Sequence, residues 1–118
     1  GRYYSMGNAD FHAAMLEMLL AGFPVAGTGK TFPALRQDQV VLGVPATVNA
    51  GNGYLPPAEV QKALNYIIKG QSYGGGYVLR NPSGYPNLRG VMTWSINWDA
   101  FAGFEFSNSY RTYLNSLP

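Results

Sequence analysis

Two short apolar runs on either side of one helical segment constrain the fold of this chain more than any other feature. The first run, Gln39 to Thr47 (QVVLGVPAT), has almost no polar alternation, which is typical of a parallel strand buried on both faces. The second run, residues 90 to 96, is rich in strand-forming residues such as Val91 and Thr93. The segment between them, PPAEVQKALNYIIKG, predicts a helix with Pro57 in its first turn. A strand, a crossover helix and a parallel strand form a right-handed βαβ unit.

Two buried strands cannot form a sheet whose faces and edges are all covered. The sequence does not begin with methionine, and its first residues lack a signal-peptide pattern, so we expect a segment of a longer chain. A parallel barrel of eight strands takes about 250 residues. The expected fold is therefore α/β, the last two repeats of a TIM (βα)8 barrel: helix 6, strand 7, helix 7, strand 8 and helix 8. Residues 1–118 would form the C-terminal portion of that domain.

Two flanking helices complete this prediction. From Asp10, a predicted N-cap, apolar residues recur at helical spacing up to a stop at Gly22. Near the other end, Ser107 or Asn108 is the expected cap of a last helix. The predicted inward residues are Phe11, Met15, Met18 and Leu19 in the first helix and Tyr110, Tyr113, Leu114 and Leu117 in the last. Residues 71–87 predict a long loop with a small strand at 77–79.

Composition excludes several classes of function. Hydrophobic residues make up 47% of the chain and charged residues 12%, with a net charge of +2 and no basic cluster, so a nucleic-acid interface is not expected. With no cysteine and one histidine, His12, which is predicted to be solvated, neither a thiolate nor a histidine metal site is expected. The longest apolar stretch, residues 13–27, is broken by Glu17 and is shorter than the ~20 residues of a membrane helix.

Two glycine-rich segments suggest phosphate binding only superficially. AGTGKT, Ala26 to Thr31, reproduces the end of a phosphate-binding loop, but Pro24 stands where the first glycine belongs and no strand is predicted before it. The glycines at 74–76 neither follow a predicted strand nor open a helix. We therefore interpret the first segment as a surface loop and the second as a turn.

Paired carboxylates would indicate glycosidic bond hydrolysis. Of the six acidic residues, four are assigned to helix ends, a polar helix face or a strand approach: Asp10, Glu17, Asp38 and Glu59. Only Asp99 and Glu105 follow a predicted strand on the side where parallel barrels carry their active sites. Turn and capping duties account for both of them, so we favour those roles over a catalytic pair.

Trp94 is the side chain that the strand pattern places best for ligand binding. Inward-facing residues of the second strand alternate as Gly90, Met92 and Trp94, and the last of these lies near the carboxyl end of the strand. Trp94 can therefore be a core residue or a flat surface on which the apolar face of a sugar ring stacks. Trp98, beyond the strand, is predicted to pack on the following loop.

These residues resemble the C-terminal end of the bacterial family 18 glycoside hydrolases, the chitinases. The resemblance runs from Asp10 onward and is carried by VVLGVPA, AEVQKALNYIIKG, GYPNLRGVMTWSINWD and FSNSYRTYLNSL. It implies retaining, substrate-assisted hydrolysis of β-1,4-linked N-acetylglucosamine polymer. The family's catalytic glutamate ends a DxxDxDxE motif on strand four, which this sequence does not contain, so no catalytic residue is expected here.

The resemblance assigns substrate binding to this segment. Trp94 would form the floor of the subsite for the distorted sugar, and the strand alternation adds Met92 as a second substrate-binding residue. The implied partners are chitin or chitooligosaccharide and the remainder of the barrel; no cofactor, metal, nucleic acid or membrane is expected, and the family implies secretion. Two alternatives stay open: a catalytically silent oligosaccharide-binding relative, and a small structural α/β domain that associates with itself.

Overall fold

The computed structural model describes residues 4–117 and contains the predicted pair of parallel strands. In chain order the elements are α1 (Ala9–Ala21), β1 (Phe23–Pro24), β2 (Thr31–Phe32), β3 (Val41–Pro45), α2 (Pro57–Lys69), β4 (Gly90–Trp94), α3 (Ile96–Phe101) and α4 (Glu105–Asn115). Short 3₁₀ turns at Gln37–Gln39 and Val48–Ala50 precede and follow β3. The fold is thus mixed α/β, as the sequence predicts.

The register of β3 and β4 aligns their carboxyl ends. Val41 lies opposite Gly90, and Pro45 lies opposite Trp94, five residues along each strand. Both strands are shorter than predicted, because the residues after Trp94 enter α3 and those around Gln39 form a 3₁₀ turn. Within residues 4–117 this sheet has two strands.

The two faces of this sheet differ in exposure. Leu42 and Val44 are 0% and 1% exposed, and they join the core formed with α1, α2 and α4. On the other face, Val41 and Met92 are 43% and 53% exposed. One face of the sheet is therefore covered by helices, and the other presents apolar side chains to solvent.

The helix between the strands follows the prediction closely. Pro57 is its first residue, where the missing amide hydrogen costs nothing. Gly70 adopts a left-handed conformation with φ 72° and ends the helix, and its amide donates to the Tyr66 carbonyl at 2.8 Å. The predicted apolar face is buried: Val60, Leu64 and Ile67.

The orientation of α1 differs from the prediction. Asn8, rather than Asp10, caps the helix, and its side chain accepts a hydrogen bond from the Phe11 amide at 3.0 Å. Met18, predicted to face inward, is 40% exposed. The buried face consists of Ala9, His12, Ala13, Leu16, Glu17 and Leu20.

His12 and Glu17 were predicted to lie in solvent, and both are buried, with 4% and 0% exposed. The physical reason for Glu17 is the loop of residues 71–89, which packs over α1 and surrounds its carboxylate with donors. Helical spacing alone cannot reveal partners more than 60 residues away. The loop itself contains no strand at 77–79, so that prediction was wrong.

Residues 22–34 form a small hairpin that the sequence did not predict. Phe23 pairs with Phe32 and Pro24 with Thr31, and the two phenyl rings stack at 5.1 Å. A two-residue strand therefore precedes AGTGKT, whose residues are all exposed, as expected for a surface loop. Within residues 4–117, no helix is both long and apolar enough to span a bilayer.

Candidate functional site

The structure places the two predicted site residues, Met92 and Trp94, on the exposed face of β4. Trp94 is the last residue of the strand and is 41% exposed, although it is one of the largest apolar side chains. Met92 lies one step earlier on the same face. The alternation of the strand thus brings the two side chains together where the sequence predicted.

Gly43 of β3 leaves space for the side chains of Met92 and Trp94. A Cβ atom at this position would lie 2.9 Å from Met92 Cε and 3.4 Å from Trp94 Cζ3. A larger residue would therefore displace the Met92 side chain and press on the indole. The absence of a side chain at Gly43 allows Met92 and Trp94 to lie over the neighbouring strand.

The indole ring of Trp94 is held by a backbone acceptor. Its Nε1–H donates to the Ala50 carbonyl at 3.1 Å, and the backbone carbonyl of Trp94 accepts from the Ala46 amide at 3.1 Å. The peptide bond from Trp94 to Ser95 is cis. The hydroxyl of Thr47 accepts from the Asn49 amide at 3.1 Å and so shapes the turn that presents the Ala50 carbonyl. The ring is therefore exposed but fixed at its polar edge.

A second contact links the same two segments of chain. The Tyr54 hydroxyl, in the loop after β3, donates to Glu105 Oε1 at 2.5 Å, at the first residue of α4. Burial and the adjacent Glu105 carboxylate raise the pKa of Tyr54 to about 12. Tyr54 therefore keeps its hydrogen and remains a donor across the neutral pH range.

Asp99 has a capping role, one of the structural roles that the sequence analysis assigned to it. It is 1% exposed, and its Oδ1 accepts from the amides of Phe106 and Ser107 at 3.0 and 3.4 Å. The Ser107 hydroxyl donates to Oδ2 of the same carboxylate. Asp99 thus satisfies the free amides at the start of α4. Ser107 lies inside that helix, which begins at Glu105, three or four residues earlier than predicted caps at Ser107 or Asn108 would place it.

Trp98 lies in α3, which the sequence did not predict, rather than on a loop. Its ring meets Phe101 edge-on, with centroids 5.6 Å apart. Trp98 is only partly exposed, whereas Phe101 is 72% exposed. The two tryptophans therefore differ in their surroundings: Trp94 lies on the open sheet face, and Trp98 packs within its own short helix.

Sequence reasoning missed Gly43, Ala50 and Tyr54. Ala50 contributes only a carbonyl oxygen, for which no side-chain signal exists. Tyr54 lies in a glycine-rich loop whose conformation is fixed by contacts with the far end of the chain. Gly43 could have been found, because glycine inside a strand often marks a close approach by another group.

Two parallel strands covered by helices on one face, with an aromatic ring exposed at their carboxyl ends, define this chain as a segment of an α/β protein. No protein-family model matches the chain. Chitinase D from Niallia circulans is 60% identical over 119 residues, covering 99% of this chain and 23% of that protein. Chitinase Chi52 from Paenibacillus xylanexedens is 58% identical, with the same coverage of 99% and 23%.

A solved structure gives the same result. The family GH18 chitinase from Chromobacterium violaceum matches with a TM-score of 0.82 and 37% identity, over 96% of this chain and 30% of that one. The chain spans 23% of the length of the two curated relatives named above. It therefore belongs to the GH18 chitinases, and it corresponds to a segment of their sequence.

Proposed function

We propose that this chain is the part of a chitinase that supplies substrate-binding surface to a (βα)8 barrel. The observation that carries the proposal is the Trp94 ring, which is 41% exposed yet fixed by its hydrogen bond to the Ala50 carbonyl. A rigid, exposed aromatic surface at the carboxyl end of a strand is suited to stacking against the apolar face of a sugar ring. Met92 extends this surface along the strand.

In this proposal β3 and β4 are strands 7 and 8 of the barrel, and their exposed apolar face is turned toward its interior. The rest of the barrel covers Val41 and the open strand edges, which accounts for apolar side chains that would otherwise face water. The catalytic glutamate of a DxxDxDxE motif is supplied from outside this chain. N-acetylglucosamine polymer or its oligomers are the substrate, hydrolysed with retention and with participation of the sugar's own acetamido group.

Two proteins test the proposal. The first is the full-length gene product that carries this chain. The second, called the hybrid below, is Chitinase D of Niallia circulans in which this chain replaces the aligned segment. Both are expected to hydrolyse N-acetylglucosamine oligomers. A folded hybrid that neither binds nor cleaves these oligomers would contradict the proposal.

The alternative of a silent, binding-only relative gives a different pattern. The full-length gene product would then bind oligomers without cleaving them, whereas the hybrid, which has the catalytic residues of Chitinase D, would still cleave. A purely structural α/β domain would give a hybrid without affinity for the sugar. We further propose that the parent protein is secreted, which fractionation of the source culture tests directly.

A further inference from the structure

Three hydrogen bonds join the loop after β3 to the end of β4 and to the segment that follows it. The Ala46 amide donates to the Trp94 carbonyl, and the Trp94 indole donates to the Ala50 carbonyl, both at 3.1 Å. Further along both segments, Tyr54 donates to Glu105 at 2.5 Å. The first two bonds involve Trp94 itself. The third joins Tyr54 to Glu105, and neither of these side chains forms a hydrogen bond with Trp94.

Beyond the turn that Thr47 closes with hydrogen bonds from the Asn49 and Ala50 amides, few contacts fix the loop between these bonds. Val48 is 70% exposed, and Asn49, Gly51 and Asn52 are also exposed. Gly51 has φ 140°, which side-chain-bearing residues rarely adopt, so the loop passes here through a conformation that favours glycine. The hydrogen bond of the Tyr54 hydroxyl to Glu105 connects this loop to α4. The turn at Thr47 holds the Ala50 carbonyl from the β3 side, and Tyr54 attaches the loop on its other side.

We propose that Tyr54 and Glu105 are positioning residues for the ring of Trp94. Their hydrogen bond holds the loop at the distance at which the Ala50 carbonyl can accept from the indole, and this acceptor fixes the rotation of the ring. The inference rests on the proposed function, because the ring must bind sugar for its orientation to affect turnover. Glu105 acts as a hydrogen-bond acceptor in this role and does not touch the substrate.

The test uses the hybrid labelled with 5-fluorotryptophan, in which the ¹⁹F resonance of Trp94 is identified by its loss in Trp94→Phe. Tyr54→Phe and Glu105→Ala are expected to shift or broaden this resonance and to lower kcat/KM for N-acetylglucosamine oligomers by roughly threefold to tenfold, the effect of one lost hydrogen bond. Glu105→Gln retains an acceptor oxygen, so its resonance and kcat/KM should stay near those of the unaltered hybrid. The double variant Tyr54→Phe with Glu105→Ala should lose no more than either single variant.

The matched control is Tyr113→Phe. Tyr113 lies on the same helix and donates to Asn65 Oδ1 at 2.7 Å, away from Trp94, so this change should leave both the resonance and kcat/KM unaltered. A loss in Glu105→Gln as large as that in Glu105→Ala would overturn the proposal, because it would indicate that the carboxylate itself acts on the substrate. If Tyr54→Phe unfolds the hybrid, the comparison between Glu105→Ala and Glu105→Gln still tests the positioning role.

The failure of each proposal gives a distinct result. If Trp94→Ala lowers kcat/KM while Tyr54→Phe changes neither the resonance nor the rate, the positioning role is wrong and the proposed function stands. If Trp94→Ala leaves kcat/KM unchanged, the proposed role of the ring in sugar binding fails, and the positioning role fails with it.

Discussion

The carboxylate of Glu17 accepts a hydrogen bond from the hydroxyl of Tyr85 at 3.0 Å, although 68 residues separate them in the chain. Glu17 also accepts from the Tyr77 hydroxyl at 2.6 Å and from the amides of Arg80 and Asn81 at 2.9 and 3.2 Å. The side chain is 0% exposed. One buried carboxylate on α1 thus organises the long loop that leads into β4.

Replacing Glu17 with alanine is therefore expected to destabilise the protein strongly. The change leaves two tyrosine hydroxyls and two amides without their acceptor, and each buried donor without a partner is costly. We expect a loss of about 3 kcal/mol in the free energy of unfolding of the hybrid, measured by urea denaturation.

Glu59→Ala is the matched control for this prediction. Glu59 pairs with Lys62 at 2.8 Å, and its side chain is 43% exposed, so the ion pair contributes little. Its replacement should change the free energy of unfolding by less than about 0.5 kcal/mol. Equal losses in the two variants would show that the Glu17 hydrogen bonds are not what holds the loop.

The hydrogen bonds of Glu17 to the loop of residues 71–89 could not be predicted from the sequence. The elements α2, β3 and β4 were predictable because their signals are local: a proline and a glycine at the helix ends, and apolar strand residues. The buried face of α1 was not predictable, because the burial of Glu17 depends on polar partners in a distant loop. A glutamate flanked by Leu16 and Met18 has the same sequence pattern whether it is solvated or fully buried.

His12 predicts a dependence of stability on pH. It is 4% exposed, neither ring nitrogen has a partner among residues 4–117, and burial lowers its pKa from 6.5. The unfolded chain then binds a proton near pH 6.5, whereas the folded chain does not until a lower pH. The free energy of unfolding should therefore be highest above pH 6.5 with respect to His12, and it should fall as the pH drops below that value.

His12→Leu checks this prediction by thermal denaturation of the hybrid between pH 8 and pH 4.5. Leucine has no nitrogen to protonate, so the variant should lose less of its melting temperature on acidification than the unaltered hybrid does. At pH 8 it should be at least as stable, because two unpaired nitrogens have been removed. An identical fall in both proteins would exclude His12 as the source.

The isolated chain is predicted to be marginally stable or to associate with itself. Both outer edges of the pair β3 and β4 are unpaired within residues 4–117, and Val41, Met92 and Trp94 expose an apolar face. Analytical ultracentrifugation at micromolar concentration, with a thermal melt, measures this. A monomer with a sharp two-state transition would count against its being a part of a larger barrel.

The position of Trp94 could be predicted from strand alternation, but the way its ring is held could not. The alternation of Gly90, Met92 and Trp94 places the side chain on one face, and the structure agrees. The Ala50 carbonyl becomes its partner only through the fold of the loop after β3. Likewise, no sequence signal indicated that Trp98 lies in a helix, since Val91, Thr93 and Ile96 together favour a longer strand.

Trp94→Ala in the hybrid is predicted to leave the fold largely intact and to lower turnover of N-acetylglucosamine oligomers. The ring is 41% exposed and lies on the sheet face opposite the core, so its removal leaves no large cavity in the core. A stacking surface of this kind contributes on the order of 1 to 3 kcal/mol, so kcat/KM should fall roughly tenfold to a hundredfold.

Trp98→Ala is the control, because the same residue type is removed from a site without the open sheet face. Its ring contacts Phe101 within α3, so its loss should lower the melting temperature more than the affinity for the sugar. If Trp94→Ala unfolds the hybrid and Trp98→Ala abolishes binding, the roles of the two rings are reversed. Comparable losses of kcat/KM in both variants would mean that the two rings share the binding surface. The argument that strand alternation singles out Trp94 of the two tryptophans would then be wrong.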